Sequence, residues 1–291
     1  MPGKWSRPLG LLAALGLSAL VGCAALQGMA EDVAYQAGGE RAAGVVRGAG
    51  TVMSGLLPIS YDEEKVIGEA LALQVLARYN GVYDKPQLTR YINLVGRAVA
   101  LTADRPTIAY HFAVLNHDSI NAFAAPAGYV FITKGLLKQI RNEAELAAVL
   151  GHEITHISEK HVLAVLQRSK QLAGISEAGL SAAGHNPVVF KSLIDAVAKK
   201  LLDEGLDQGK ELEADRLGVA FAARVGYDPQ AYVGFLQRLR TLKGDDQAFF
   251  KTHPNFSSRI AETQQGIRAL SPPRQGALLA DRLTQRLRGQ L

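Results

Sequence analysis

Two histidines four residues apart enclose a glutamate in the run His152-Glu153-Ile154-Thr155-His156. At about 100° per residue, helix positions i and i+4 share a face, so both imidazoles can reach one divalent ion at about 2.0–2.1 Å. Glu153 stands next along the helix, where its carboxylate can take a proton from a water beside the ion rather than bind the ion itself. The chemistry this suggests is metal-assisted hydrolysis. The same five residues can also be two histidines on an ordinary surface helix. Here Leu146, Leu150, Ile154 and Ile157 form an apolar stripe, and the histidines project together on another face among Ala148 and Val149, which favours a pocket.

A hydrolytic zinc needs a third protein ligand and an open fourth position. His161 follows His156 by five residues, about 140–180° round a continuous helix, with the apolar stripe; it is expected to be a core or helix-end histidine. A metzincin-type site needs a glycine three residues after His156 and a histidine six after; Glu159 and Val162 exclude it. Glu177 lies about twenty residues on, a thermolysin-like distance, but in a Ser-Glu-Ala-Gly stretch that is a poor helix interior. Glu211-Leu212-Glu213-Ala214-Asp215 is the better candidate, inside a helical pattern of Leu212, Leu217, Ala220 and Phe221. Glu211 and Asp215 share a face, with Glu213 about 200° away. Glu211 can therefore ligate while Asp215 hydrogen-bonds a ligand imidazole and sets its tautomer.

The elements that position these groups are mostly helical. Asp62 to Tyr79 has helical spacing (Val66, Ala70, Leu73, Leu76, Ala77), and Pro86 opens a second helix with Leu88, Ile92, Val95 and Val99 on one face. Tyr110 to Leu115 and Tyr129 to Thr133 read as strands around a turn at Asn116–Ser119. Leu136 through His161 and beyond reads as helix, with Asn142 and Glu145 spaced as a capping box. Ala173 to Asn186 reads as a loop or broken helix. Val188 to Leu202, Gln208 to Val225, Pro229 to Leu242, Ser257 to Leu270 and Leu278 to Leu287 read as further helices. The expected fold class is α+β, mainly α, in one domain over residues 61–291 with a small sheet beside the histidine helix.

The N-terminus reads as an address. A basic Lys4–Arg7 segment precedes the apolar run Leu9 to Gly22, which is too short for the roughly twenty residues of a membrane span but suits a signal peptide. The run ends in Leu20-Val21-Gly22-Cys23, and Cys23 is the chain's one cysteine. This resembles a bacterial lipobox, so residues 1–22 are expected to be removed, Cys23 lipidated and residues 23–60 to form a tether. At about 0.8 kcal/mol per buried methylene, two or three acyl chains anchor a protein stably. By resemblance to Gram-negative lipoproteins, Ala24 favours the outer membrane, with the protein facing the periplasm. The net charge of +5 falls to about +3 without Lys4 and Arg7. No dense Lys/Arg stripe interleaves with aromatics, so no nucleic-acid partner is expected.

His-Glu-Ile-Thr-His, then Glu-Leu-Glu-Ala-Asp-Arg-Leu-Gly about fifty residues on, then His253-Pro254 followed by Arg259-Ile260, together resemble peptidase family M48. The segment from Asn121 through Gly128 to Leu137 resembles that family's strand region before the metal helix. The likeness runs from about Tyr61 to Leu270. It implies a zincin-like fold and a zinc endopeptidase with one Zn²⁺ per chain, held by His152, His156 and Glu211, with Glu153 as base and Asp215 behind the ligands. It further implies that the edge Asn121, Ala122, Phe123 and Ala124 pairs with an extended substrate. His253 would approach the zinc or the substrate oxyanion, or gate the site, and Arg259 would pair with a nearby acid. Expected substrates are misfolded or misassembled envelope proteins. The alternative expectation is a chaperone or assembly factor for outer-membrane proteins with a shielded, non-catalytic metal.

Overall fold

The computed structural model describes residues 59–173, 187–242, 252–253, 255–270 and 275–291. The leader, Cys23, the tether to residue 58, Glu177 and, apart from Ala173 at a helix end, the expected loop Ala173 to Asn186 lie outside the described residues. The description centres on one compact unit, Ile59–Leu166 with Val188–Leu291. Of the other, Met1–Pro58 with Gln167–Pro187, the described residues are the end of one helix and the first residue of the next.

Ser60 starts helix α1, Tyr61–Arg78, through a full capping box: its hydroxyl accepts from Glu63 N, and the Glu63 carboxylate accepts from Ser60 N at 2.8 Å. The buried face of α1 is not the expected one. Val66 and Leu73 are exposed, while Ile67, Leu71 and Val75 are buried together with Glu64 and Gly68. A carboxylate and a glycine face inward because the Pro126–Gly128 turn lies against them. Glu64 Oε1 accepts from Ala127 N at 3.0 Å, and a Cβ on Gly68 would stand 2.1 Å from Pro126 O. Helix α2, Pro86–Ala100, buries Leu88, Ile92, Val95 and Val99 as its spacing predicts.

Strands β1 (His111–Leu115), β2 (Ala122–Ala125) and β3 (Tyr129–Thr133) form a mixed sheet in the order β1-β3-β2. β1 runs parallel to β3 with Phe112 opposite Val130, and β2 runs antiparallel to β3 with Phe123 opposite Phe131. Asn93 of α2 covers the outer edge of β1, its amide donating to Phe112 O at 2.7 Å. β2 is the opposite edge.

After the short helix α3, Lys134–Leu137, Asn142 caps α4, Glu143–Ser158, by accepting from Glu145 N at 2.9 Å. All sixteen residues of α4 are buried, and β2, α2 and the later helices pack around it. Helix does not continue through His161. Lys160 takes a left-handed conformation (φ 56°) and α5, His161–Ala173, starts afresh after it. Helix α6, Pro187–Lys199, runs into a single π-turn at Lys200–Glu204. Then follow α7 (Gln208–Val225), α8 (Gln230–Thr241), α9 (Phe256–Arg268) and α10 (Ala280–Leu287). The mainly helical fold with a small mixed sheet is as expected.

The buried face of α7 differs from the pattern read in sequence. Phe221 is buried as the pattern reads, but Leu212, Leu217 and Ala220 are only half-buried, and Glu211, Ala214, Asp215, Gly218 and Ala222 face inward. Acids and small residues occupy this face because it lies directly on α4. A Cβ on Gly218 would stand 2.5 Å from His152 N, and one on Gly151 would stand 2.5 Å from Gly218 O. The two helices therefore cross backbone to backbone at a pair of glycines.

Candidate metal centre

That crossing brings Glu211 of α7 to the two histidines of α4. His152 Nε2 and His156 Nε2 are 3.1 Å apart. Glu211 Oε2 lies 3.4 Å from the first and Oε1 lies 3.5 Å from the second. Ligand atoms about 2.0–2.1 Å from a tetrahedral centre stand about 3.3 Å apart, so the three side chains fit one ion. Glu211 Oε1 is buried with no hydrogen-bond partner, a costly state for a carboxylate oxygen unless a cation completes it. Among the described residues, His152, His156, Glu211 and His253 bring one ligand atom each within 4.8 Å of one another. The donor set of imidazole nitrogens and a carboxylate suits zinc.

Each of these groups is held from behind. His152 Nδ1 lies 2.9 Å from Asp215 Oδ1, as the shared face of Glu211 and Asp215 implies. Arg259, wholly buried on α9, donates to both Asp215 oxygens at 2.7 Å, and Tyr232 of α8 donates to Oδ1 at 2.9 Å. Arg259 is the acid-pairing arginine anticipated from the sequence, and Asp215 is its partner. Tyr232 carried no chemical signal in the sequence, since an aromatic at helical spacing reads simply as core. On the other side, His253 Nδ1 lies 2.8 Å from Glu211 Oε2 and its Nε2 lies 4.0 Å from Glu153 Oε1.

His161 is a buried helix-end histidine, as expected, but it does not lie along an apolar stripe of α4. The break at Lys160 swings it back until its Nδ1 is 2.9 Å from His156 Nδ1, and its Nε2 is 3.1 Å from Glu213 Oε2. Angular reasoning on one continuous helix could not find this contact, because the helix ends three residues earlier.

The charges separate the carboxylates into two kinds. Burial pushes Glu211 upward, but His253 and His152 outweigh it and hold its pKa well below the usual carboxylate value. Burial likewise opposes ionisation of Asp215, and Arg259 reverses that. At Glu153 burial dominates and raises the pKa. Burial also keeps His156 neutral, well below an ordinary histidine, whereas at His152 the carboxylates of Asp215 and Glu211 overcome burial and raise the pKa to about 9. Two firmly ionised acids beside one that holds its proton more readily suit a ligand, its support and a proton carrier.

Ala122, Phe123 and Ala124 line the same cavity as Glu153, His156, Leu201, Leu206, Glu211, Thr252 and His253. Asn121 is not in that lining. It is wholly buried, and its Oδ1 accepts from Ala122 N at 2.9 Å and from Thr252 Oγ1 at 3.3 Å, tying the strand to the segment that carries His253. The cavity is only about 10 Å³, roughly the space one water needs. Thr133 N donates to Asn121 O, so alternation along the antiparallel pair makes Phe123–Phe131 the next hydrogen-bonded pair. The main-chain groups of Ala122 and Ala124 therefore turn off the outer edge of β2.

Comparison with known proteins adds an independent line. Residues 86–266 match Peptidase family M48. The chain is 31% identical over 231 residues to the "Beta-barrel assembly-enhancing protease" of Yersinia pestis, covering 74% of this chain and 46% of that one. The protein of the same name from Escherichia coli K12 gives 31% over 230 residues, with the same coverage. Metalloprotease YcaL of Escherichia coli K12 is 27% identical over 158 residues, 54% of this chain and 62% of the relative. The chain thus spans about half the length of the barrel-assembly relatives it matches.

Proposed function

The chain belongs to peptidase family M48, and from that premise we propose that it is a zinc-dependent metalloendopeptidase, lipid-anchored in the periplasm and hydrolysing misfolded or misassembled envelope proteins. The observation that carries the site assignment is the triangle of His152, His156 and Glu211 at 3.1–3.5 Å, with Glu211 Oε1 otherwise unpartnered. In this reading these three hold the ion, Asp215 orients His152, and Glu153 is the base. Bound zinc supplies Lewis-acid polarisation of the scissile carbonyl and lowers the pKa of a water towards about 7. Glu153 takes the proton of the attacking water and returns it to the leaving amine, a task suited to a carboxylate whose pKa burial has raised.

The edge of β2 is proposed to hold the substrate. Pairing with the main chain at Ala124 and with the carbonyl of Ala122, whose N–H is already held by Asn121, reads backbone rather than side chains, which suits unfolded clients of varied sequence. The cavity of about 10 Å³ admits no peptide as it stands, so Thr252–His253 must withdraw for cleavage. His253, bonded to Glu211, acts here as the gate. The anchoring at Cys23 and the outer-membrane location rest on the lipobox pattern; no described helix is long and apolar enough to cross a membrane. The barrel-assembly names of the relatives favour outer-membrane proteins among the clients.

Metal analysis combined with substrate trapping tests this. Purified protein should carry one zinc, lose caseinolytic activity to a chelator, and capture unfolded outer-membrane proteins as the Glu153→Gln variant. Chelator-insensitive behaviour that survives Glu153→Gln would instead support the chaperone reading. His253→Ala should raise hydrolysis of unfolded casein; a loss would remove the gate.

A further inference from the structure

His152 and His156 are both held at the ring nitrogen that faces away from Glu211, but by different means. Asp215 contacts His152 Nδ1 directly at 2.9 Å. Behind His156 stands a second histidine: His161 Nδ1 lies 2.9 Å from His156 Nδ1, and beyond it Glu213 Oε2 lies 3.1 Å from His161 Nε2. His161 is buried, and the Glu213 side chain is 42% exposed.

We propose that Glu213 and His161 form a two-residue relay that fixes the tautomer and orientation of His156, so that all three acids of Glu211-Leu212-Glu213-Ala214-Asp215 serve the one site. The inference rests on the reading of His156 as a metal ligand. His156 Nε2 is the atom that converges with His152 Nε2 and Glu211. A neutral imidazole that ligates through Nε2 carries its proton on Nδ1. That proton is donated to His161 Nδ1, which must be bare. His161 then carries its proton on Nε2 and donates it to the Glu213 carboxylate. Each hydrogen bond has one donor and one acceptor, and each ring is neutral. A carboxylate behind a metal-bound imidazole is a common support; here an interposed histidine lengthens it by one ring. The extension is needed because Glu213 points about 200° away from Glu211 round α7 and cannot reach His156 itself. The left-handed Lys160 makes it possible by ending α4 and leaving His161, the first residue of α5, beside His156. His161 and Glu213 are positioning residues; neither lines the cavity at the site.

Zinc affinity, measured by competition with a chromophoric chelator, tests the relay without relying on turnover. His161→Leu removes the acceptor and should weaken zinc binding by about 10–100-fold. His161→Asn places an amide oxygen near the position of Nδ1 and should recover most of that loss. Glu213→Gln, at a half-exposed position where folding is not at risk, should weaken binding several-fold and shift the visible bands of the cobalt-substituted protein. If His161→Leu folds poorly, the Asn and Gln variants carry the test. Equal affinity in Leu, Asn and wild type overturns the relay, as does an equal loss in Leu and Asn with no change in Glu213→Gln. Wild-type protein that binds no zinc overturns the underlying assignment of His156 instead.

Discussion

Replacing Gly218 by alanine should stabilise an ordinary helix by about 0.8–1.0 kcal/mol, because alanine has the higher helix propensity. Here the added Cβ would stand 2.5 Å from His152 N, 2.6 Å from Gly151 C and 2.8 Å from His152 Cα, all of them backbone atoms of α4 that cannot rotate aside. Ordinary contact begins near 3.4 Å, so the helices must separate by about 0.9 Å at the crossing. Overpacking of this kind costs about 1–3 kcal/mol, which cancels or exceeds the propensity gain. The larger effect falls on the site. Glu211 and Asp215 ride on α7 two turns and one turn before Gly218, while metal–ligand distances tolerate only about 0.2 Å. A displacement near 1 Å should lower zinc affinity by about 10–100-fold and hydrolysis by about 100-fold. The assay is chelator competition with casein hydrolysis, alongside thermal melting. Gly234→Ala on α8 is the control, since its Cβ would meet only Arg238 Nη1 at 3.8 Å; it should gain up to about 1 kcal/mol and leave metal binding unchanged. A Gly218→Ala protein stabilised like Gly234→Ala, with wild-type zinc affinity, would refute the argument that the glycine pair sets the ligand geometry.

Glu153→Gln should retain zinc at wild-type affinity, read by metal analysis, while hydrolysis falls by about 100–10,000-fold, the usual worth of a general base. Asp215→Asn should weaken zinc about 10–100-fold, and because it also removes the charge that the buried Arg259 pairs with at 2.7 Å, it should lower the melting temperature too. At the far end of α4, Glu143 accepts from Tyr91 (2.5 Å), Tyr227 (2.6 Å) and Arg282, pinning α10. Burial pushes its pKa up, but Arg282 and the two tyrosines outweigh this and hold it below the ordinary 4.5. A depressed folded pKa gives stability that is complete above the unfolded value and is lost as pH falls through the folded one. Glu143→Gln should therefore cost about 1.5–3 kcal/mol in urea melts at pH 7, with the gap from wild type shrinking below about pH 4.5; a constant gap down to pH 3 would contradict it.

The local arrangement of the proposed metal centre was legible in the chain. Positions i and i+4 share a helix face whatever surrounds them, so His152 with His156 and Glu211 with Asp215 could be paired by spacing alone. Asn142 sets a helix start through a bond only three residues long. Faces were less secure. On α1 the apolar count pointed outward, and on α7 it marked a face that is only partly buried, because Glu64, Gly68, Glu211, Asp215 and Gly218 are buried for what they touch across the molecule and not for hydrophobicity.

What tertiary structure alone decided is every approach between distant segments. One left-handed residue, Lys160, turned His161 from a bystander on a helix face into the neighbour of His156, and gave Glu213 a partner. Two glycines allowed α4 and α7 to meet at the backbone, and Arg259 became the hub behind Asp215 only because α9 packs on α7. Sequence periodicity records geometry along one element. The distance between elements depends on side-chain volume at their contact, which the pattern of apolar and polar residues does not encode.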